Sequence, residues 1–221
     1  MQSILSNLAE LIERGGIVMI PLLILSVISV ALIIERTWFW LAQNGAGGRR
    51  WFERSLDLLA NGSVSATREA LRKGRGLYAD VTRETLAHGA TDAAALRAVE
   101  QQRPRMERFM VALSTIITAA PLLGILGTVL GIIQSFDLLG QQETLTDPRA
   151  VSSGIAEALL TTALGLVVAL MTLFPYMLFR GQLDRTVGRL ETLVAAAGET
   201  ARRDAASAET KHAHDRTTQG K

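Results

Sequence analysis

Four side chains in this 221-residue sequence have the chemistry to carry an ion: Glu157, Thr128, Thr161 and Thr162. All four lie inside apolar runs long enough to cross a bilayer. A polar group at membrane depth is expensive and by default suggests function. Glu157 is the only acid within those runs, and no Lys, Arg or His falls inside them. With no cation to neutralise it, it must be protonated, line a wet cavity, or meet a group from another chain. A proton path needs titratable or hydroxyl groups along water. One glutamate with two or three threonines is a sparse set. The residues therefore point to an ion path completed by something outside this chain.

Spacing sets the expected geometry. Thr128 lies eight residues before Phe136, roughly 12 Å from the end of its run. Thr162 lies eight residues after Gly154, so the two threonines can sit level if their helices run antiparallel. Glu157 comes five residues before Thr162, roughly 7–8 Å along the axis. Glu157 and Thr161, at i and i+4, share a face. Thr162 is turned about 100° from Thr161, so their hydroxyls are expected to point different ways. A threonine can also spend its hydroxyl on its own i−4 carbonyl, and back-bonding is the competing reading for either one. Small residues line the same helices. Ala120, Gly124, Gly127 and Gly131 form one stripe, and Gly154, Ala158, Thr161, Gly165 and Ala169 form another. Such stripes let helices approach closely in lipid, and the stripes by themselves predict packing.

The elements that must hold these residues are membrane helices. Three apolar runs have spanning length: Ile17–Ile34, Phe109–Phe136 and Ile155–Phe179. A span needs roughly 20 apolar residues, and lipid leaves its backbone no choice but a helix. The fold class is therefore an all-α membrane protein with three transmembrane helices and long helical extensions. No basic segment precedes the first run and no small-residue cleavage site follows it, so it reads as a span and not a signal peptide. There is no cysteine, which excludes disulfide and thiol chemistry. Without cysteine, intramembrane histidine or a second intramembrane acid, no nucleophile–base pair or metal site can be built, so neither an enzyme nor a cofactor is expected. A net charge of +2 makes no case for nucleic acid.

The basic residues have a simpler use. Residues 36–108 hold 13 Lys and Arg and residues 180–221 hold 8, against one in the first 16 residues and one in 137–153. Basic segments stay cytoplasmic. The expected organisation follows: 1–16, an amphipathic helix on the outer surface; 17–36, the first span; 37–108, a cytoplasmic helical segment; 109–136, the second span; 137–153, an outer loop, periplasmic in a bacterium; 154–180, the third span; 181–203, a cytoplasmic helix; and 204–221, a polar tail expected to be disordered. Within 37–108, glycines at 62, 74 and 89 end short helical patterns, and Thr91 or Asp92 caps the next helix.

The two polar spans carry a paired motif. PLLGILGTVLGIIQSF followed by GIAEALLTTALGL resembles the ExbB/TolQ/MotA proton-channel family, with the ExbB and TolQ branches most similar in layout and ExbB the closest. The resemblance is strong over residues 105–180. It implies an inner-membrane pentamer whose pore is lined by the second and third spans. It further implies single-span ExbD- or TolR-like subunits in that pore, whose aspartate carries the proton, and a TonB- or TolA-like transducer. Carried over by position, Thr128 and Thr162 become pore hydroxyls facing that aspartate and Glu157 the pore glutamate, with Thr161 carried more weakly. The rival expectations are a TolQ-like subunit for envelope maintenance, a motility motor, and a non-conducting membrane scaffold.

Overall fold

The computed structural model of the protein describes residues 16–72, 74, 76–140 and 148–219. Among them seven α-helices follow one another: α1 Met19–Asn44, α2 Ala46–Asn61, α3 Val64–Leu71, α4 Leu77–Ala87, α5 Asp92–Met106, α6 Met110–Gly140 and α7 Pro148–Gln219. No strand occurs among the described residues. Three of these helices are long and apolar enough to cross a membrane. The chain divides into two compact units, and α1 and α7 each contribute to both.

The first unit comprises Met1–Arg36 and Phe109–Leu178. Its apolar centre is thin. Val18, just before α1, and Leu22 of α1 pack with Ile116 and Ala120 of α6 and Val168 of α7. Most of its large aliphatic side chains face outward. Val27, Ile34, Leu122, Phe136, Leu159 and Phe174 are all more than half exposed. A surface this apolar suits lipid or a protein partner and not water. At the edge of the unit Glu35 holds the buried Arg36 through two hydrogen bonds of 2.6 and 3.0 Å. The Arg36 guanidinium lies 5.7 Å from the centre of the Phe109 ring.

The second unit comprises Thr37–Arg108 and Phe179–Lys221. Its core joins Leu59, Leu77, Tyr78, Val81, Leu86, Ala98 and Met106 of the short helices to Leu190, Leu193 and Ala197 of α7. Each short helix leaves its end groups to be satisfied by a cap. The Ser63 hydroxyl accepts from the Ala66 N–H at 3.3 Å, and the Thr91 hydroxyl from the Ala94 N–H at 3.2 Å. Thr91, and not Asp92, is thus the cap of α5. Gly89 and Ala90 turn the chain between α4 and α5 with φ of 81° and 52°.

Three expected boundaries are redrawn. The outer loop set at 137–153 is shorter, because α6 continues to Gly140 and α7 begins at Pro148. The disordered tail set at 204–221 is instead helical as far as Gln219. The physical reason is visible where that tail begins. The Asp204 carboxylate accepts from the Val64 N–H at 2.7 Å, capping α3 from a distance in sequence. Thr200 and Arg203 donate to the Leu59 carbonyl at 2.7 and 2.8 Å. Composition reads polarity and cannot see such docking; the three alanines and Glu209 of 205–209 are in any case good helix formers. Third, the run GAGG at 45–48, which its composition reads as a flexible break, interrupts the helices only at Gly45, since α2 starts at Ala46. The amphipathic helix expected near the N-terminus lies outside the described residues.

Candidate functional site

The site is built at the crossing of α6 and α7, and glycine sets the distance there. A Cβ at Gly124 would come within 3.0 Å of the Thr162 Cα, and one at Gly127 within 2.9 Å of the Thr161 Cβ. At Gly131 it would lie 2.6 Å from the Ala158 Cβ, and at Gly165 2.5 Å from the Ala120 carbonyl oxygen. Each of the four glycines therefore meets the facing helix where no side chain fits. This close approach brings backbone carbonyls of one helix within reach of hydroxyls on the other.

Those contacts form one network. Thr162 donates to the Gly124 carbonyl at 2.8 Å. Thr161 donates to the Ala158 carbonyl at 2.7 Å and lies 3.4 Å from the Gly124 carbonyl. The Thr128 hydroxyl meets the Thr162 hydroxyl directly. It also lies 3.2 Å from the Gly124 carbonyl and 3.3 Å from the Ala158 carbonyl. Thr161 and Thr162 were expected to point different ways. Both reach the Gly124 carbonyl, because that oxygen enters the groove between them. Thr161 is fully buried and uses its proton on its own helix, so it packs; Thr128 and Thr162 stay half-buried.

A count of protons shows what the network can bind. Each hydroxyl has one proton to give and two lone pairs to receive with. The short bonds spend the protons of Thr161 and Thr162 on carbonyls, which leaves Thr128 to donate to the Thr162 oxygen. The Thr128 oxygen then remains as an acceptor at the open edge. The site is rich in acceptors and has no spare donor, so a visitor must bring its own proton or positive charge.

Glu157 lies one to two helical turns along α7 from this network and is half-buried. Among the described residues it has no hydrogen-bond or ion-pair partner. The crossing therefore joins Thr128, Thr161 and Thr162 and leaves Glu157 unpaired among the described residues. Sequence reasoning missed Ser135, which is buried and donates to the Gly131 carbonyl at 2.8 Å, and Thr172, which donates to the Val168 carbonyl at 2.7 Å. Both bond back within their own helices. It also passed over Ser114, Thr115, Thr118 and Tyr176, which line a groove of ≈ 290 Å³ on the same unit. The i, i+4 spacing of Ser114 and Thr118 was the available signal.

Comparison with known proteins bears on this arrangement. Residues 65–192 match the model of the MotA/TolQ/ExbB proton channel family. The chain is 38% identical over 172 residues to the biopolymer transport protein ExbB-like 3 of Synechocystis, covering 75% of this chain and 81% of that protein. It is 31% identical over 182 residues to the biopolymer transport protein ExbB of Salmonella typhimurium, covering 75% and 72%. It is 34% identical over 125 residues to the Tol-Pal system protein TolQ of Pseudomonas aeruginosa, covering 55% and 50%. The matched stretch contains the whole α6–α7 crossing, and the chain belongs to the MotA/TolQ/ExbB proton channel family.

Proposed function

We propose that this chain is the channel-forming subunit of a proton-driven motor in a bacterial inner membrane. Its N-terminus would lie in the periplasm and its C-terminus in the cytoplasm. Copies of it, most simply five, surround single-span partners of the ExbD or TolR type. The observation that carries this reading is the acceptor-rich network of Thr128, Thr162 and the Gly124 carbonyl. A protonated carboxyl group on a partner helix is the complementary visitor, since it donates the one proton the network lacks. After losing that proton to the cytoplasmic side, the carboxylate has nothing to offer an acceptor-rich surface and must leave it. Binding and release then alternate with protonation. That alternation can drive rotation or a conformational cycle.

Protons enter from the periplasm past Glu157, whose unpaired carboxyl suits a wet entrance, and reach the partner acid beside Thr128 and Thr162. The work output passes to a TonB-like transducer for outer-membrane transport. A TolQ-like role in envelope maintenance would use the same site with a different partner. The test replaces Glu157 with Ala, and Thr128 or Thr162 with Val, in the assembled complex. Proton-driven uptake is expected to fall in all three. Undiminished uptake in all three would sink the assignment.

A further inference from the structure

The groove lined by Met110, Val111, Ser114, Thr115, Thr118 and Tyr176 lies on the same unit as the threonine crossing. We propose that it is the cytoplasmic mouth of the ion path, and that it holds the water linking the Thr128–Thr162 pair to the cytoplasm. The proposal rests on the proton-channel reading above.

Its first support is register. Ser114, Thr118, Pro121 and Thr128 follow one another at spacings of four, three and seven, so they share one stripe of α6. Tyr176 follows Thr162 by fourteen residues, two heptads, and so returns to nearly the same face of α7. The hydroxyls of the groove thus continue the faces that carry the pore threonines. Thr118 lies ten residues from Thr128, roughly 15 Å along the axis, and Tyr176 roughly 21 Å from Thr162. From the outer end at Phe136, Thr118 is roughly 27 Å deep, close to the full ≈ 30 Å of a hydrocarbon core.

The second support is hydrogen bonding. Thr115 donates to the Val111 carbonyl at 2.9 Å and Thr118 to the Thr115 carbonyl at 2.9 Å. Their protons are spent on the helix and their oxygen lone pairs face outward. Both residues are exposed. Ser114 Oγ and Tyr176 Oη have no hydrogen-bond partner among the described residues. Between groove and crossing, Pro121 stands inside α6 without an N–H, so the Ile117 carbonyl loses its usual helical donor. Hydroxyl donors and acceptors in the groove, with a freed carbonyl further along the same helix, suit water and not lipid. An excess proton crossing this water forms one O–H bond and breaks another. The hydroxyls orient the water and are left unchanged.

The experiment uses the complex with its co-purified single-span partner, reconstituted in proteoliposomes. Proton flux is read with an internal pH dye under an imposed potential. The Ser114→Ala/Thr118→Val double variant and Tyr176→Phe are each expected to lower flux roughly fivefold or more, as when one hydrogen bond is removed from a path. Because the chain has no cysteine, Thr118→Cys adds an independent readout. It should react with a charged thiol reagent applied from the cytoplasmic side, whereas Phe174→Cys, on the exposed apolar face of α7, should not. If wild type conducts and Thr128→Val does not, yet the groove variants conduct like wild type, the mouth assignment alone fails. Equal labelling at 118 and 174, or none at 118, overturns it as well. A wild-type complex that passes no protons removes the channel reading itself.

Discussion

The Thr128 and Thr162 hydroxyls meet across the α6–α7 crossing, beside the carbonyl of Gly124. One helix supplies a hydroxyl and a carbonyl, and the other a hydroxyl. Neither helix alone would bring them together. The pair exists because the glycine stripe lets two backbones approach closely.

Replacing Thr162 with Val deletes the 2.8 Å bond to Gly124 and the contact to Thr128. The cost to folding should be small, about 1 kcal/mol, since the Gly124 carbonyl keeps its helical N–H donor four residues on. The cost to proton flux should be large. Thermal unfolding in detergent and flux in liposomes therefore should separate in this variant.

Gly165 and Gly181 offer a paired comparison. A Cβ at Gly165 would lie 2.5 Å from the Ala120 carbonyl oxygen, while at Gly181 nothing lies within 4 Å. Gly165→Ala should destabilise by about 1–3 kcal/mol, as overpacking does. Gly181→Ala should stabilise α7 by about 0.5–1 kcal/mol, by lowering the backbone entropy lost on folding. Melting temperatures of the two purified variants check both signs.

Asp204 caps α3 through the Val64 N–H. Asp204→Ala should cost about 1 kcal/mol. A disordered residue at this position would give no change. Hydrogen exchange at the Val64 amide should rise in the variant.

Ala90 holds a left-handed φ of 52° in the turn after α4. Ala90→Gly should stabilise the helical unit by about 1 kcal/mol, because glycine has no Cβ to strain there. Chemical unfolding of the variant should shift its midpoint upward with an unchanged slope.

Much of this protein was legible in the chain itself. Three runs without a cation read as spans because lipid tolerates little else, and helix rise alone put Thr128 and Thr162 at one level. The glycine stripes marked the faces that touch. Local patterns also narrowed the cap of α5 to Thr91 or Asp92, since a cap acts within three residues, whereas the Ser63 cap of α3 emerged only in the folded chain.

What the sequence could not decide was where each hydroxyl sends its proton. Thr161 and Thr162 are neighbours with the same side chain, and helical rotation predicted that they diverge. Only the packed helices showed both within reach of the Gly124 carbonyl, with Thr161 buried and Thr162 half-open. The fate of Asp204 was decided in the same way, by a partner 140 positions away in the chain. Residue type and spacing determine what a side chain can do and at what depth it lies. Which acceptor it meets depends on how closely two backbones pass, and that distance is a property of the tertiary structure.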